Sequence, residues 1–151
     1  MTPLFNKLNL KDQKEILVVN APESFLKETA QIEREVQVFQ DPKKVKKTGF
    51  AIAFVTQQKD IDSLAPVLAG KLDGDGILWF CYPKGTSKKY KCDFNRDTGW
   101  QTLGKLGFEG VRMVAIDEDW SALRFRRAEY IKTMKRSFAM SEEGKARTKK
   151  G

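Results

Sequence analysis

Short, continuous apolar runs alternate along this chain with segments whose apolar residues recur at helical spacing. Each run is four to six residues long and rich in β-branched or aromatic residues, which is typical of strands buried on both faces of a sheet. Strands that alternate with helices form a mostly parallel sheet with right-handed crossovers. The predicted strands are Ile16–Val19, Phe50–Val55, Ile77–Tyr82 and Val111–Ile116, the last of which is interrupted by Arg112, and the predicted helices are Pro22–Ile32, Asp60–Leu72 and Asp97–Leu106.

The C-terminal part of the predicted sheet has a different pattern. In Ser121–Arg126, apolar residues alternate with arginines, as expected for a strand with one solvent-facing side. The turn before it, Asp117–Trp120, is too short for a parallel crossover and therefore predicts an antiparallel hairpin. We expect an α/β fold, namely a Rossmann-like three-layer sandwich whose mostly parallel sheet ends in an antiparallel C-terminal edge strand.

One connection in this fold is unusually short. Glu35–Phe39 alternates like a strand, and only about ten residues separate Phe39 from the strand that starts at Phe50. A parallel crossover usually needs a dozen residues or more. We therefore predict that a crossover helix is missing here and that the domain is a trimmed Rossmann-like domain.

The positive charge of the chain is concentrated near its C-terminus. The 28 residues from Arg124 onward hold 10 Lys/Arg and 3 Asp/Glu, which accounts for +7 of the total net charge of +8. A charged segment with few apolar residues buries too little surface to fold alone. We predict a folded domain over residues 1–128 and a basic, partly disordered extension over residues 129–151.

Three features bear on where the protein works. No apolar run approaches the length of a membrane span, and the N-terminus lacks the apolar stretch of a signal peptide. Cys81 and Cys92 are not spaced as a C-x-x-C motif. We expect a cytoplasmic protein with reduced cysteines and no membrane partner.

The chain contains no histidine. This absence excludes Ser-His and Cys-His nucleophilic sites and nearly every zinc site. The adjacent acids Asp117, Glu118 and Asp119 lack matching ligands elsewhere, and such acids usually form a solvated turn. We predict no catalytic residues and no metal site.

The turn after the first predicted strand, Asn20-Ala21-Pro22, has no glycine. Dinucleotide-binding domains keep this turn rich in glycine so that the backbone can approach a pyrophosphate. Side chains at these positions would hold the backbone amides away from a ligand, and Pro22 also lacks an N–H donor. The turn is therefore unfavourable for a nucleotide in the usual pose.

Three motifs occur in order along the chain: N-A-P-E-S-F from Asn20, L-W-F-C-Y-P-K-G from Leu78, and D-E-D-W-S-A-L-R-F from Asp117. Over about residues 2–126 they resemble an uncharacterised bacterial family, one of the domains of unknown function, which is similar to shortened S-adenosylmethionine methyltransferases. The resemblance implies a methyltransferase-like topology and assigns no activity. Methyltransferases also carry an acid at the end of the second strand, where only Asp41 is nearby, so we expect no bound cofactor.

Polar and aromatic residues follow several predicted strands, at the edge where open α/β sheets bind ligands. Asn20 would orient a hydroxyl or amide, Tyr82 would stack and Lys84 would pair with an anion. The alternative is that Asn20 and Asp117 cap turns, prolines end strands and Trp120 covers the core. The candidate ligand-binding residues are Asn20, Pro22, Tyr82, Lys84, Asp117 and Trp120.

The basic residues raise nucleic acid as a second type of partner, because lysine and arginine neutralise backbone phosphates. No helix-turn-helix, RNA-recognition or zinc-finger signature accompanies them, so only weak, non-specific binding is expected. The candidate contacts are Arg126, Arg127, Lys132, Lys135 and Arg136.

These observations favour a non-catalytic binding or interaction module whose partner, a protein or a small molecule, the sequence leaves unknown. Two alternatives stay open. One is a degenerate methyltransferase-like enzyme or small-ligand binder that uses Asn20, Tyr82 and Lys84. The other is an accessory nucleic-acid binder that works through the basic extension.

Overall fold

The computed structural model describes residues 2–94 and 99–131. Within them, six strands form one sheet with helices on both faces. The strands are β1 (Glu15–Val19), β2 (Gln37–Phe39), β3 (Thr48–Phe54), β4 (Leu72–Pro83), β5 (Phe108–Ala115) and β6 (Trp120–Arg127). The helices are α1 (Pro3–Lys7), α2 (Glu23–Ala30), α3 (Gln58–Lys71) and α4 (Gln101–Lys105), and short 3-10 helices cover Pro42–Lys44 and Ala128–Tyr130.

The strand order is β2-β1-β3-β4-β6-β5. Strands β2, β1, β3 and β4 are parallel to one another, whereas β6 runs antiparallel to both of its neighbours. The chain leaves β1 towards one edge and then returns to β3 on the other side of β1, which creates a topological switch point between β1 and β3. In open α/β sheets the crevice for ligands lies outside the carboxyl ends of the strands at such a point.

The two faces of the sheet form two apolar cores because successive side chains of a strand point to opposite faces. Helices α1 and α2 cover the first face, where Phe5 and Phe25 pack against strand residues such as Ile16, Phe50 and Trp79. Helices α3 and α4 cover the second face. Its core includes Leu17, Ala51, Phe80, Ile61 and Leu103.

The predicted fold class is confirmed: the sheet is mixed, mostly parallel, with antiparallel pairing at its C-terminal end. The position of the last strand differs from the expectation. Strand β6 lies between β4 and β5, and β5 occupies the edge. Alternating arginines were expected only on an edge strand, where one side of the strand faces solvent. The interior strand β6 accommodates them because Arg124 and Arg126 line a polar cleft.

Other boundaries agree with the prediction only in part; β4, for example, begins at Leu72, five residues before the predicted start at Ile77. Residues 40–47 cross from β2 to β3 with only the 3-10 helix Pro42–Lys44, as the missing-helix prediction requires. The helix expected from Asp97 begins only at Gln101, and Asp97 lies outside the described residues. Ile131 is still buried, three residues beyond the predicted end of the domain. No helix among the described residues has the length and apolar character needed to cross a membrane.

Candidate functional site

The three polar clusters expected at the strand ends lie along one edge of the sheet. Asn20 directly follows β1, Lys84 follows β4, and Asp117 lies in the turn between β5 and β6. The start of β6 returns to the same edge, where Trp120 pairs with Pro83 at the end of β4. We call this side of the sheet the carboxyl edge, since the parallel strands end there.

Described residues line two clefts at the carboxyl edge. The first, which we call the switch-point cleft, has a volume of about 320 Å³ and lies beside the turn after β1. Asn20 is exposed and adopts the left-handed backbone conformation, with φ of 58°, which is uncommon for residues other than glycine. The lining of this cleft consists of Asn20, Pro22, Phe54, Thr56, Asp60, Tyr90 and Trp120.

Aromatic rings close the bottom of the switch-point cleft. Phe54 contacts Phe25 at 4.9 Å between ring centroids and Trp120 at 5.1 Å. Trp120 contacts Tyr90 in turn, at 4.8 Å. Only 4% of Trp120 is exposed, and its Nε1 has no hydrogen-bond partner among residues 2–94 and 99–131. Aromatic side chains thus cover the strand ends in the space where a nucleotide-binding domain presents glycine backbone.

The second cleft, which we call the β4 cleft, is larger, with a volume of about 710 Å³. Its rim carries two lysines, and aromatic side chains form part of its walls. Tyr82 is only 6% exposed and donates its hydroxyl to Met113 Sδ at 3.7 Å, so its ring forms a wall of the cleft. The lining that matters chemically includes Tyr82, Lys84, Tyr90, Lys91, Phe94 and Met113.

The loop over the β4 cleft is held in place by Ser87 and Asp119. Ser87 Oγ donates to Asp119 Oδ1 at 2.8 Å and accepts the N–H of Tyr90 at 3.1 Å. The N–H of Lys84 donates to the Asp119 carbonyl at 2.8 Å. These bonds tie residues 84–90 to the turn before β6, so the backbone of Lys84 is fixed and Lys91 directly follows the fixed segment.

Asp117 has the turn-forming role that was the alternative prediction for it. Its Oδ1 accepts the N–H groups of Asp119 at 2.8 Å and Trp120 at 2.9 Å, while Oδ2 accepts the Ser24 hydroxyl at 3.3 Å. Asp117 lines neither cleft. Across the residues that the structure describes, no group of three metal-ligating side chains is found.

The buried thiol at this edge is not a nucleophile. Cys81 lies inside β4 and is fully buried, and burial raises the pKa of its thiol well above the ordinary value, with the charge of Asp117 adding to the effect. A thiol attacks as its thiolate. Cys81 therefore stays protonated and packs as a small apolar residue.

The structure separates the residues of the predicted small-ligand site. Asn20, Pro22 and Trp120 line the switch-point cleft, whereas Tyr82 and Lys84 line the β4 cleft. Tyr90 lines both and was missed by the sequence analysis. Its signal in the sequence was an aromatic residue inside the lysine-rich segment Lys88–Lys91, a combination typical of anion-binding surfaces with stacking.

The nucleic-acid candidates in the described residues lie at the opposite edge of the sheet and are engaged within the protein. Arg126 forms a two-pronged ion pair with Asp75, with Nε and Nη2 at 2.9 and 2.7 Å. Arg127 donates to the carbonyls of Gly74, Ala69 and Leu72, and its guanidinium lies 5.1 Å from the ring centre of Phe108. The remaining candidates, Lys132, Lys135 and Arg136, lie outside the described residues.

Comparison with solved structures finds proteins of similar fold, among them methyltransferases. N-methyltransferase NodS from Bradyrhizobium japonicum WM9 in complex with S-adenosylhomocysteine matches with a TM-score of 0.51 and 11% identity, over 83% of this chain and 88% of that chain. Fibrillarin pre-rRNA processing protein from Methanococcus jannaschii matches with a TM-score of 0.51 and 13% identity, over 85% and 70% of the two chains. Phosphoethanolamine N-methyltransferase 2 from Haemonchus contortus matches with a TM-score of 0.51 and 10% identity. The match covers 82% of this chain but only 37% of that enzyme, so this chain spans little more than a third of the enzyme's length.

At these identities the comparison shows the fold alone, and the fold is methyltransferase-like. No protein-family model matches the sequence, and no curated protein matches it either. The resemblance to an uncharacterised bacterial family therefore stays a prediction.

Proposed function

We propose that this protein is a non-catalytic binding module built on a methyltransferase-like fold. Its ligand site is the β4 cleft, and the region beside β1 no longer holds a cofactor. The ligand class that suits the β4 cleft is a small anion with a flat or apolar part.

The observation that carries this proposal is the aromatic floor of the switch-point cleft. The ring of Phe54 at the end of β3, held edge-on against Trp120, and the side chains of Asn20-Ala21-Pro22 after β1 lie at the carboxyl ends of these two strands. A nucleotide or nucleoside ligand there needs glycines that let the backbone come close. A volume of about 320 Å³ is at the lower limit for a pocket that holds a small organic ligand.

The chemistry of the β4 cleft supports an anionic ligand. Lys84 and Lys91 supply positive charge at the rim, and Tyr90 and Phe94 supply ring surface. Lysine binds carboxylate or phosphate as a point charge, and aromatic walls take up a flat group by stacking. The chain contains no histidine, so the commonest general base is missing, which favours binding over catalysis.

The second candidate function is a degenerate methyltransferase-like enzyme. It is favoured by one observation, the structural similarity to methyltransferases, one of them in complex with S-adenosylhomocysteine. That function requires a cofactor at the carboxyl end of β1, in the switch-point cleft. The two candidates therefore differ in which cleft holds a ligand.

Calorimetric titration with S-adenosylmethionine and S-adenosylhomocysteine separates them. We expect no heat of binding up to millimolar ligand. Micromolar binding that is lost in a Trp120→Phe variant would favour the methyltransferase-like enzyme instead.

A thermal-shift screen with nucleotides, sugar phosphates and aromatic carboxylates tests the β4 cleft directly. We expect stabilising compounds to lose their effect in Lys84→Gln and Lys91→Gln, because each variant removes a rim charge without touching the core. Lys27→Gln, on an exposed position of α2, is the matched control and should keep the full shift. Hits that are insensitive to both rim variants would contradict the assignment of this cleft.

A further inference from the structure

A third cleft lies at the opposite edge of the sheet, away from the carboxyl edge. Its volume is about 630 Å³, and it opens where β3 begins and β6 ends. The Asp73–Gly76 segment bulges out of β4 beside it, since Thr48 pairs with Leu72 while Phe50 pairs with Ile77. The polar residues that line this amino-edge cleft are Asn9, Gln13, Asp73, Asp75, Arg124 and Arg126.

Arg124 is the unusual residue of the amino-edge cleft. It sits in the interior strand β6, paired with Trp79 on one side and Arg112 on the other. Its Nε is buried yet has no hydrogen-bond partner among residues 2–94 and 99–131. Burial lowers the pKa of its guanidinium and the charge of Arg126 lowers it further, while the charge of Asp75 partly offsets this and that of Arg112 adds to it. A buried N–H of a cation without an acceptor is costly, and such groups in proteins usually have a partner.

The nearby acids do not supply that partner. Asp75 is held by Arg126 in the two-pronged ion pair, at 2.7 Å from Nη2. Asp73 is exposed at the rim of the cleft. Among residues 2–94 and 99–131, Arg124 therefore has no ion-pair partner inside the cleft, and it lies beside two carboxylates that would repel an ion of charge −2.

Two amide side chains add neutral donors to the same cleft. Gln13 Oε1 accepts the N–H of Lys11 at 2.8 Å, so its NH₂ group is the end that remains for a ligand. The second amide belongs to Asn9, which lines the cleft and adopts the left-handed backbone conformation, with φ of 66°. A planar ion of charge −1 that accepts two parallel N–H bonds matches a guanidinium fork flanked by amide donors.

We propose that the amino-edge cleft binds a small carboxylate through Arg124, with Asn9 and Gln13 as supporting donors. This site is independent of the proposed function, because it lies across the sheet from both clefts of the carboxyl edge. A phosphate dianion is disfavoured there by Asp73 and Asp75.

The test uses the N–H signal of the arginine side chain in ¹⁵N-labelled full-length protein. The Arg124 Nε–H resonance is assigned by its loss in Arg124→Lys. Sodium acetate and sodium glutamate are titrated against sodium chloride at equal ionic strength, with sodium phosphate as a further arm. We expect a saturable shift of this resonance with both carboxylates and none with chloride. No shift with either carboxylate, an equal shift with chloride, or tighter binding of phosphate than of acetate would overturn the proposal.

Variants then test which residues bind the carboxylate. Binding is followed by the shift of the backbone N–H resonance of Gly76, which lies in the wall of the cleft. Arg124→Lys should weaken carboxylate binding by about tenfold or more, because lysine keeps the charge but lacks the planar fork. Asn9→Gly keeps the left-handed backbone without strain and should weaken binding by a smaller factor. Arg34→Lys, at an exposed arginine elsewhere, should bind as the parent does. If Arg124→Lys fails to fold, Asn9→Gly together with Gln13→Met decides, and unchanged binding in both would refute the site.

Discussion

The indole of Trp120 lies edge-on against the ring of Phe54, with 5.1 Å between the ring centroids and 79° between the ring planes. Phe54 ends β3 and Trp120 begins β6, so the pair spans the end of β4 that lies between them. This contact covers the core at the carboxyl edge, and both of its residues line the switch-point cleft.

Replacing Trp120 by alanine should lower the free energy of unfolding by about 3–5 kcal/mol, because a large buried ring is removed and leaves a cavity. Urea denaturation followed by circular dichroism measures the change. Trp120→Phe keeps part of the ring contact and should lose less. A loss below about 1 kcal/mol for Trp120→Ala would mean that the indole does not serve the core.

Removing the carboxylate of Asp117 should destabilise the turn before β6. Asp117→Ala leaves the N–H groups of Asp119 and Trp120 without their acceptor, at a cost of about 1–3 kcal/mol. Asp117→Asn keeps an oxygen that accepts the same bonds and should cost much less. The control is Glu118→Gln at the exposed neighbouring position. Equal losses for the alanine and asparagine variants would rule out the capping role.

The backbone at Asn20 predicts opposite effects for two small substitutions. With φ of 58°, Asn20→Ala places an unfavourable side chain in the left-handed region and should cost about 1 kcal/mol. Asn20→Gly relieves that constraint and should leave thermal stability unchanged or slightly higher. Differential scanning calorimetry of the two variants compares them directly. Alanine as stable as glycine would contradict the left-handed conformation.

Cys81 should make stability fall at alkaline pH. The folded protein holds the thiol proton because burial raises the pKa of Cys81 above the ordinary value of about 9, whereas the unfolded chain releases it near that value. The contribution is therefore present below about pH 9 and is lost as the pH rises, by about 1.4 kcal/mol per pH unit.

The measurement is the free energy of unfolding of the parent and of Cys81→Ala between pH 8 and pH 10. The parent should lose stability more steeply than Cys81→Ala, and Cys92→Ala should keep the slope of the parent. Parallel curves for the parent and Cys81→Ala would show that the thiol does not stay protonated in the folded state.

We expect Arg127 to contribute to the free energy of unfolding and not to the binding of nucleic acid. Its guanidinium donates to three backbone carbonyls and lies against the ring of Phe108. Arg127→Ala should therefore lower the free energy of unfolding by about 1–3 kcal/mol. Arg127→Lys should recover only part of this, because an ammonium cannot reach all three acceptors. Unchanged stability combined with weaker retention on immobilised nucleic acid would reverse the assignment.

The amino-acid sequence by itself determined the layered α/β architecture. The apolar run Ile16–Val19 and the helical spacing in Asp60–Leu72 each agree with the observed elements within a few residues, because the two periodicities follow from local backbone geometry. The crossing without a helix between β2 and β3 was likewise readable from its length alone. The common edge of Asn20, Lys84 and Asp117 then followed from the parallel direction of the strands.

The tertiary structure alone decided how these residues are grouped. Local periodicity records which side of a strand is apolar but not which strand lies beside it, so β6 was expected at the edge and lies one place inside it. The same limit hid the division of Asn20 and Tyr82 between two clefts and the position of Tyr90 between them. In the sequence, nothing distinguished Arg124 from the other arginine that alternates with apolar residues in this strand, Arg126. Only packing against β4 and β5 buries its Nε, because burial depends on neighbours far away along the chain.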